Sequence, residues 1–297
     1  MGEDWPELQY GDWKDTYATL HRWMQIIGKV RLALAPHLNH FWEATFYITS
    51  SGLTSSAVPL PGAAGVFTMD LDFFANELRI LTSIGRVGRV QLRPCSVAEF
   101  EQEFLAALAR LEIPVKIWNM PVEIPHPVRF NLDQEHCSYD AEAVRRWWRI
   151  LVSTHRVLSE FRAGFIGKSS PVHLFWGSLD IAVTRFSGRN APERPGADAM
   201  TRDAYSHEVS SAGWWPGNED FPEAAFYSYA APAPDGFAEA KIGPAKAFWS
   251  TQLGEFLLKY NDMRGEPQPS RVLRAFLDST YAAAADLGKW DRAALER

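Results

Sequence analysis

The chain has 297 residues, of which 46% are hydrophobic and 22% charged, as is ordinary for a folded soluble protein. Its net charge of −6 provides no basic footprint for nucleic acid, and no apolar run approaches the roughly 20 residues of a membrane span. Two cysteines, Cys95 and Cys137, and an acidic N-terminus untypical of a signal peptide predict a cytoplasmic protein. Twelve tryptophans, several beside Pro, Gly or His, predict an aromatic cavity lining.

Periodicity predicts the elements of the first 124 residues. An apolar stripe at helical spacing marks a first helix over residues 12–27. Ser96 and Glu99 form a capping box, which predicts that a second helix starts there and continues to Leu111. Alternation and β-branched or aromatic content predict strands over residues 41–49, 66–74, 77–82, 89–92 and 115–124.

The second part of the chain contains a long segment without clear periodicity. Asp140 is a candidate N-cap of a long helix, and residues 171–186 predict two short strands or one bent strand. Residues 186–225 are rich in glycine and proline, which predicts a long functional loop. Its aromatic part, 205–217, is interpreted as a lid or pocket wall, with Gly213 giving it local freedom, and residues 270–287 predict a closing helix.

One sequence order occurs twice. Ile27-Gly28-Lys29 is followed by Phe41-Trp42, and Ile166-Gly167-Lys168 is followed by Phe175-Trp176. The recurrence predicts an α+β fold built from a duplicated unit of helix, antiparallel strands and helix. The predicted halves are residues 1–124 and 138–297, joined by the connector 125–137, although they are also compatible with one structural domain. Both Gly-Lys pairs lack a phosphate-binding loop pattern, so we expect helix C-caps at the glycines and no nucleotide cofactor.

Several longer motifs occur in order along the chain, including Asn39-His40-Phe41-Trp42 and Tyr205-Ser206-His207-Glu208. Further matched positions are Trp13, Thr16, Leu20, His21, and residues 25–29, 169–180, 184–189 and 290–292. With these motifs the chain resembles the bacterial domain-of-unknown-function family 5996 over nearly its whole length. The resemblance implies a one-piece bacterial protein and assigns no catalytic role to any residue.

The second half carries the strongest candidate catalytic set, which consists of ionisable residues near one predicted strand and the long loop: His173, Asp180, Arg185, His207 and Glu208. Two imidazoles and a carboxylate, here His173, His207 and Asp180, form a ligand set typical of iron or zinc. Two alternatives stay open. One is a metal-free acid–base site, and the other is a structural role in which His173 bonds within a sheet and Glu208 pairs with Arg185 or Arg189.

A second polar set lies in the first half and comprises His21, Asn39, His40, Asp70 and Asp72. Asp70 and Asp72 alternate with apolar residues, so both carboxylates lie on one face of a strand. Such a pair either divides into acid and base or forms the solvated face of the sheet. No Gly-x-Ser-x-Gly elbow is present, and neither cysteine lies in a nucleophile motif.

Taken together, these patterns predict an enzyme that acts on a small polar or aromatic molecule in a tryptophan-lined pocket between the halves. The chemistry is acid–base or assisted by a divalent metal, with an arginine fork holding a carboxylate or phosphate. The candidate ligand-binding residues are His21, Asn39, His40, Trp176, Arg189, Tyr205, Trp214 and Trp215. A non-catalytic protein that binds an aromatic or cationic molecule is the alternative.

Overall fold

A computed structural model describes residues 4–297, so Met1, Gly2 and Glu3 of the predicted first half lie outside it. Two short 3-10 helices, Asn39–Phe41 and Phe130–Leu132, accompany the α-helices. None of the described helices combines the length and the apolar character needed to cross a bilayer. The α-helices of the described residues are α1 (Tyr10–Leu34), α2 (Val97–Arg110), α3 (Ala141–Ala163), α4 (Ala199–Ala204), α5 (Tyr260–Arg264), α6 (Pro269–Leu287) and α7 (Arg292–Leu295).

The strands form one large antiparallel sheet, which confirms the predicted α+β class. In chain order they are β1 (Thr45–Ile48), β2 (Gly52–Thr54), β3 (Val58–Pro59), β4 (Val66–Asp72), β5 (Glu77–Thr82), β6 (Val87–Gln91), β7 (His173–Phe175), β8 (Asp180–Asn190), β9 (His207–Trp215), β10 (Ala225–Ala231), β11 (Phe248–Ser250) and β12 (Glu255–Lys259). Their order across the sheet is β11-β12-β10-β9-β8-β7-β1-β2-β4-β5-β6, and β3 pairs with β4 outside this path.

The two predicted halves meet in the middle of this sheet. Strand β1 pairs antiparallel with β7, with Thr45 opposite Phe175 and Phe46 opposite Leu174. Strands from residues 45–91 therefore continue directly into strands from residues 173–259. The near two-fold relation between the halves, and the boundaries at 124 and 138, stay predictions.

Local signals placed two helix starts correctly. The Ser96 hydroxyl accepts a hydrogen bond from the Glu99 amide at 3.1 Å, as a capping residue does. The Asp140 carboxylate accepts bonds from the amides of Glu142 and Ala143 at the start of α3. These bonds satisfy amide groups that have no partner within the first helical turn.

Gly28 does not end the first helix, contrary to the prediction. Helix α1 continues through Gly28 and Lys29 to Leu34. A Cβ atom on Gly28 would lie 2.4 Å from Cδ1 of Trp176, so glycine is required for close packing of this indole against the helix. The sequence signal of a glycine is the same for a C-cap and for close approach, and here the tertiary contact determines its role.

Two further predictions of secondary structure are wrong. Residues 115–124 contain no strand, because Pro114, Pro121 and Pro125 remove amide donors and the Val122 amide donates to the Gln25 side chain at 2.8 Å. The long loop at 186–225 instead contains the end of β8, helix α4 and strand β9. Strand β9 is buried on both faces, and such a strand shows no clear alternation of polar and apolar residues.

The sheet around β8 buries one face against helices and turns the other towards a cavity. Helices α3 and α6 contact β8, β9 and β10. On β8, Ile181 and Val183 belong to the main hydrophobic core, whereas Ala182 belongs to a separate cluster on the opposite face. Because side chains alternate along a strand, Asp180 and Thr184 lie on the same face as Ala182.

Candidate functional site

The face of the sheet that carries Asp180, Ala182 and Thr184, opposite to the helix-covered face, forms the floor of a cavity of about 1210 Å³. Strands β8, β9 and β10 provide the floor, and helix α1, residues 122–136 and helix α4 contribute the walls. Residues from both predicted halves therefore line the same space. This volume exceeds the range of about 300–1,000 Å³ that is usual for small-molecule sites, so the cavity has room for such a ligand.

Asp180 is the polar centre of the cavity floor. The Tyr227 hydroxyl donates a hydrogen bond to Oδ2 of Asp180, and the Ser178 hydroxyl donates to Oδ1 at 2.7 Å. Burial raises the pKa of Asp180, whereas these two bonds favour its ionised form and oppose the shift. Burial and the neighbouring Asp180 raise the pKa of Tyr227 well above its usual value, so this tyrosine stays a donor.

Gly213 makes the bond between Tyr227 and Asp180 possible. Tyr227 on β10 pairs with Gly213 on β9, and Gly213 pairs with Ala182 on β8. A Cβ atom on Gly213 would lie 2.6 Å from the Tyr227 hydroxyl oxygen, so only glycine leaves space for the phenol to cross β9. The predicted role of Gly213 in loop freedom is wrong, since this residue lies inside a central strand.

Two further carboxyl groups share the cavity with Asp180. Burial raises the pKa of Glu255 to about 7, and the charge of Asp180 adds to this shift. Loss of solvation also raises the pKa of Glu123, and the charge of Asp180 adds to this shift. Glu123 is nevertheless exposed and lines the cavity. The three carboxyl groups come from distant segments of the chain and have unequal surroundings.

Hydroxyl groups extend along the floor from Asp180. The rings of Tyr227 and Tyr229 stack with centroids 6.1 Å apart, and the Tyr229 and Tyr205 hydroxyls lie 3.2 Å apart. Thr184 and Ser211 share a further hydrogen bond of 2.9 Å. The floor therefore offers a row of donors and acceptors beside flat aromatic surfaces.

His21 lies in the wall formed by α1. Its Nε2 atom is 2.7 Å from the Gly177 carbonyl oxygen, and because a carbonyl only accepts, Nε2 carries the proton in this bond. The side-chain amide of Gln25 donates to the Val122 carbonyl at 2.8 Å and so connects helix α1 to the wall segment 122–136. Burial lowers the pKa of His21 to about 4, so the imidazole is neutral at pH 7.

The predicted metal ligands are not brought together. Within residues 4–297, no group of three His, Cys, Asp or Glu side chains is arranged to hold a metal ion. The His173 ring packs 4.8 Å from Phe175 and 6.1 Å from Trp42, and burial lowers its pKa to about 3. His207 lies instead beside His40, with ring centroids 5.7 Å apart. Aromatic rings thus fill the space around His173 that a metal would need.

Arg185 lies on the helix-covered face of the sheet, away from the cavity. Its guanidinium lies 3.4 Å from the centre of the Phe161 ring and 4.2 Å from that of Tyr281, and it donates to the Phe161 carbonyl. Arg185 lies five positions after Asp180 on β8, and because side chains alternate along a strand the two point to opposite faces. The predicted grouping of Arg185 with Asp180 is therefore wrong.

Glu208 and Arg189 form an ion pair, which is the structural alternative that the sequence left open. Nη2 of Arg189 lies 2.6 Å from Oε2 of Glu208, and this guanidinium also donates to the carbonyls of Gly288 and Lys289. The pair connects the β8–β9 ribbon to the end of helix α6. Neither residue lines the cavity.

The other candidate ligand-binding residues divide between the cavity and the core. His21, His40, Trp176, Tyr205 and Trp215 line the cavity. Trp214 is fully buried on the opposite face of β9, with its ring 6.1 Å from that of Tyr260. Asn39 is exposed and does not line the cavity.

Asp70 and Asp72 lie on one face of β4, as alternation predicted, but outside the cavity. The Thr68 hydroxyl donates to Asp70 at 2.9 Å, and Arg79 pairs with Asp72 at 3.0 Å. Both carboxylates therefore have local partners.

Sequence reasoning did not select Glu123, Glu255, Tyr227 and Tyr229. Tyr227 and Tyr229 alternate within a short β-rich run, and this spacing is a usable signal for one polar strand face. Glu123 lies in an irregular segment, and Glu255 lies on a short strand near the sheet edge. No local pattern relates either glutamate to Asp180.

Comparison with known proteins assigns nearly the whole chain to one family. The sequence model of a family of unknown function, DUF5996, matches residues 5–297. The chain belongs to this family. Comparison with curated proteins and with solved structures found no match. The cavity itself therefore provides the basis for a functional proposal.

Proposed function

We propose that the protein is an enzyme that performs acid–base chemistry on a small molecule bound in the cavity above Asp180. The observation that carries this proposal is the pair of carboxyl groups, Asp180 and Glu255, which face one cavity from different environments. Asp180 accepts hydrogen bonds from Tyr227 and Ser178. Glu255, whose pKa is about 7, makes no such bond among the described residues.

These environments suit different roles. The two hydrogen bonds that Asp180 accepts favour its ionised form and fix its orientation, and we assign Asp180 the role of positioning or deprotonating the bound molecule. A carboxyl group whose pKa lies near neutral pH both gives and takes a proton readily, and Glu255 is placed for that exchange. The neutral His21 presents a rigid wall rather than a second charge.

The test is a turnover screen that also detects silent proton exchange. The full-length protein is incubated with a library of small metabolites in D₂O, and mass spectrometry follows both consumption and deuterium uptake. Any reaction found is repeated with Glu255→Gln and Asp180→Asn. We expect each variant to lower the rate by about 10²–10⁴-fold, the usual contribution of a general acid or base.

Glu160→Gln is the matched control, because this glutamate is exposed on α3 and lies outside the cavity. Equal rates for Glu255→Gln, Asp180→Asn and the control contradict the proposed roles. A compound that binds in the cavity but is neither consumed nor labelled favours the alternative, a binding protein. The aromatic lining is the feature that supports this alternative.

A further inference from the structure

Acidic residues outnumber lysine and arginine in the lining of the cavity. Among the described residues, the cavity is lined by one arginine, Arg22, and by no lysine. Arg22 already forms an ion pair within the protein, because its Nε lies 3.2 Å from Oδ2 of Asp133. The acidic residues of the lining are Glu123, Glu135, Asp180, Glu219, Asp220 and Glu255.

Glu123, Asp180 and Glu255 make no ion pair with any of the described residues. Within residues 4–297, no Lys, Arg or His nitrogen lies within 4 Å of the carboxylates of Glu123, Asp180 or Glu255. The partners of Asp180 are neutral hydroxyl groups. Asp180 and Glu255 are half-buried and Glu123 is exposed to the cavity, so each of them is open to a ligand there. Because burial without a partner disfavours the charged carboxylate, this unpaired group of acids favours a ligand that carries a positive charge.

Aromatic rings complete the same surface. Among the described residues, eleven aromatic side chains line the cavity, including Trp42, Trp176, Phe186, Tyr205, Tyr227 and Tyr229. The face of an aromatic ring attracts a cation and repels an anion. Four of these rings already contact a cation of the protein. The Lys168 ammonium lies 5.0 Å from the Phe186 centroid and 5.8 Å from that of Trp42. The Lys29 ammonium lies 5.6 Å from the Trp176 centroid, and the Arg194 guanidinium lies 4.2 Å from that of Tyr205.

We propose that the cavity binds an organic cation, an ammonium or guanidinium group attached to a flat apolar body, and that Asp180, Glu255 and Glu123 provide the counter-charge. This inference rests on the proposed function in taking the same cavity as the substrate site. It replaces the anionic substrate that the sequence suggested, because Arg185 and Arg189 make their contacts elsewhere.

Binding of a cation is coupled to proton release. A positive charge beside Glu255 and Asp180 stabilises their ionised forms and lowers pKa values that burial has raised. We therefore expect the affinity to rise between about pH 6 and pH 8, as Glu255 loses its proton. His21, whose pKa burial lowers to about 4, stays neutral over this range, and burial also lowers the pKa of His40. The other titratable groups of the cavity lining are the phenols of Tyr10, Tyr17, Tyr205, Tyr227 and Tyr229, the imidazoles of His126 and His136, the paired Arg22, and the acids Glu123, Glu135, Glu219 and Asp220.

The test uses three probes with one shared frame: phenethylamine, 2-phenylethanol and phenylacetate. Isothermal titration calorimetry with the full-length protein at pH 7.5 measures their affinities. We expect the amine to bind about tenfold or more tighter than the alcohol, and the carboxylate to bind most weakly. Titration of the amine in buffers of different ionisation enthalpy measures the released protons.

Variants then locate the bound amine. Glu255→Gln and Asp180→Asn should each weaken the amine about tenfold while leaving the alcohol nearly unchanged, and the exposed Glu160→Gln should change neither. Circular dichroism shows whether each variant is folded. If only one of the two cavity variants folds, its affinity for the amine alone is enough for the test. Amine binding that both variants leave intact overturns the inference.

Other outcomes separate this inference from the proposed function. If the alcohol or the carboxylate binds as tightly as the amine or tighter, the cation preference is overturned. If this binding is lost in Tyr227→Phe, the cavity is still a ligand site. Failure of all three probes also overturns the cation preference, and the metabolite screen then decides the proposed function independently.

Discussion

The ammonium group of Lys29 lies 5.6 Å from the centre of the Trp176 ring, so helix α1 packs directly on the turn between β7 and β8. A reciprocal contact places the ammonium of Lys168 5.8 Å from the centre of Trp42. Each lysine of the two Gly-Lys pairs therefore contacts the tryptophan of the other predicted half. These contacts give the recurring motifs a structural role at the junction of the halves.

The first prediction concerns Lys29 and pH. Lys29 is buried without an ion pair among the described residues, and burial lowers its pKa from 10.5 to about 8. Between these values the unfolded chain binds more protons than the folded chain, so the native state gains stability as the pH rises. The free energy of unfolding of the wild type, relative to Lys29→Met, should therefore increase from pH 8 to pH 10.5.

Chemical denaturation at several pH values measures this difference, and Lys14→Met, at an exposed position on the same helix, is the control. A difference between wild type and Lys29→Met that stays constant over this window contradicts the prediction.

The second prediction concerns Gly28. Alanine normally stabilises a helix interior relative to glycine by up to about 1 kcal/mol. At Gly28 the new methyl group meets the Trp176 indole at 2.4 Å, and we expect a net loss of about 1–3 kcal/mol. Gly11→Ala on the same helix has nothing within 4 Å and should be neutral or stabilising. Thermal unfolding of both variants checks the contrast, and stabilisation by Gly28→Ala would show that the indole moves away freely.

The third prediction concerns the bond from Tyr227 to Asp180. Removal of the donor in Tyr227→Phe should raise the pKa of Asp180 further, because the bond favours the ionised carboxylate. Gly213→Ala should have the same effect, since its methyl group displaces the phenol. Carboxyl ¹³C chemical shifts followed over pH measure the change. An unchanged Asp180 titration in both variants would show that the bond does not control this group.

The fourth prediction concerns acid sensitivity. Burial lowers the pKa of His173 to about 3, whereas an unfolded histidine titrates near 6.5. The unfolded chain therefore takes up the proton first, and the wild type loses stability as the pH falls from 6.5 towards 3. Relative to His173→Phe, the loss should approach about 1.4 kcal/mol per pH unit within this window. Urea unfolding at pH 7, 6 and 5 measures it, and parallel pH profiles for both proteins contradict it.

The fifth prediction concerns residues 205–217. Because β9 pairs with β8 on one side and β10 on the other, its backbone is protected from proteases. Limited proteolysis should cut the exposed stretch at 192–196 well before any bond within His207–Trp215. Mass spectrometry of early fragments identifies the sites, and rapid cleavage inside β9 would contradict the pairing.

The sequence alone predicted the elements whose signals are local. Alternation located β4 and β5 closely, and the side chains of Ser96 and Asp140 marked the starts of α2 and α3. These predictions succeed because an alternating strand or a helix cap depends on residues within a few positions of each other. The same locality explains why the family motifs were recognisable over the whole chain.

Tertiary structure alone decided the composition of the site. Alternation along β8 divides Asp180 from Arg185, but only the packing of α3 and α6 determines which face is left for the cavity. Glu123 and Glu255 reach Asp180 from segments more than fifty residues away on either side, and no local pattern encodes that approach. The role of Gly28 depends on Trp176, which is distant in sequence and packs against the helix at that position. The central place of β9 depends on its pairing with β8 and β10. Both contacts exist only in the assembled fold.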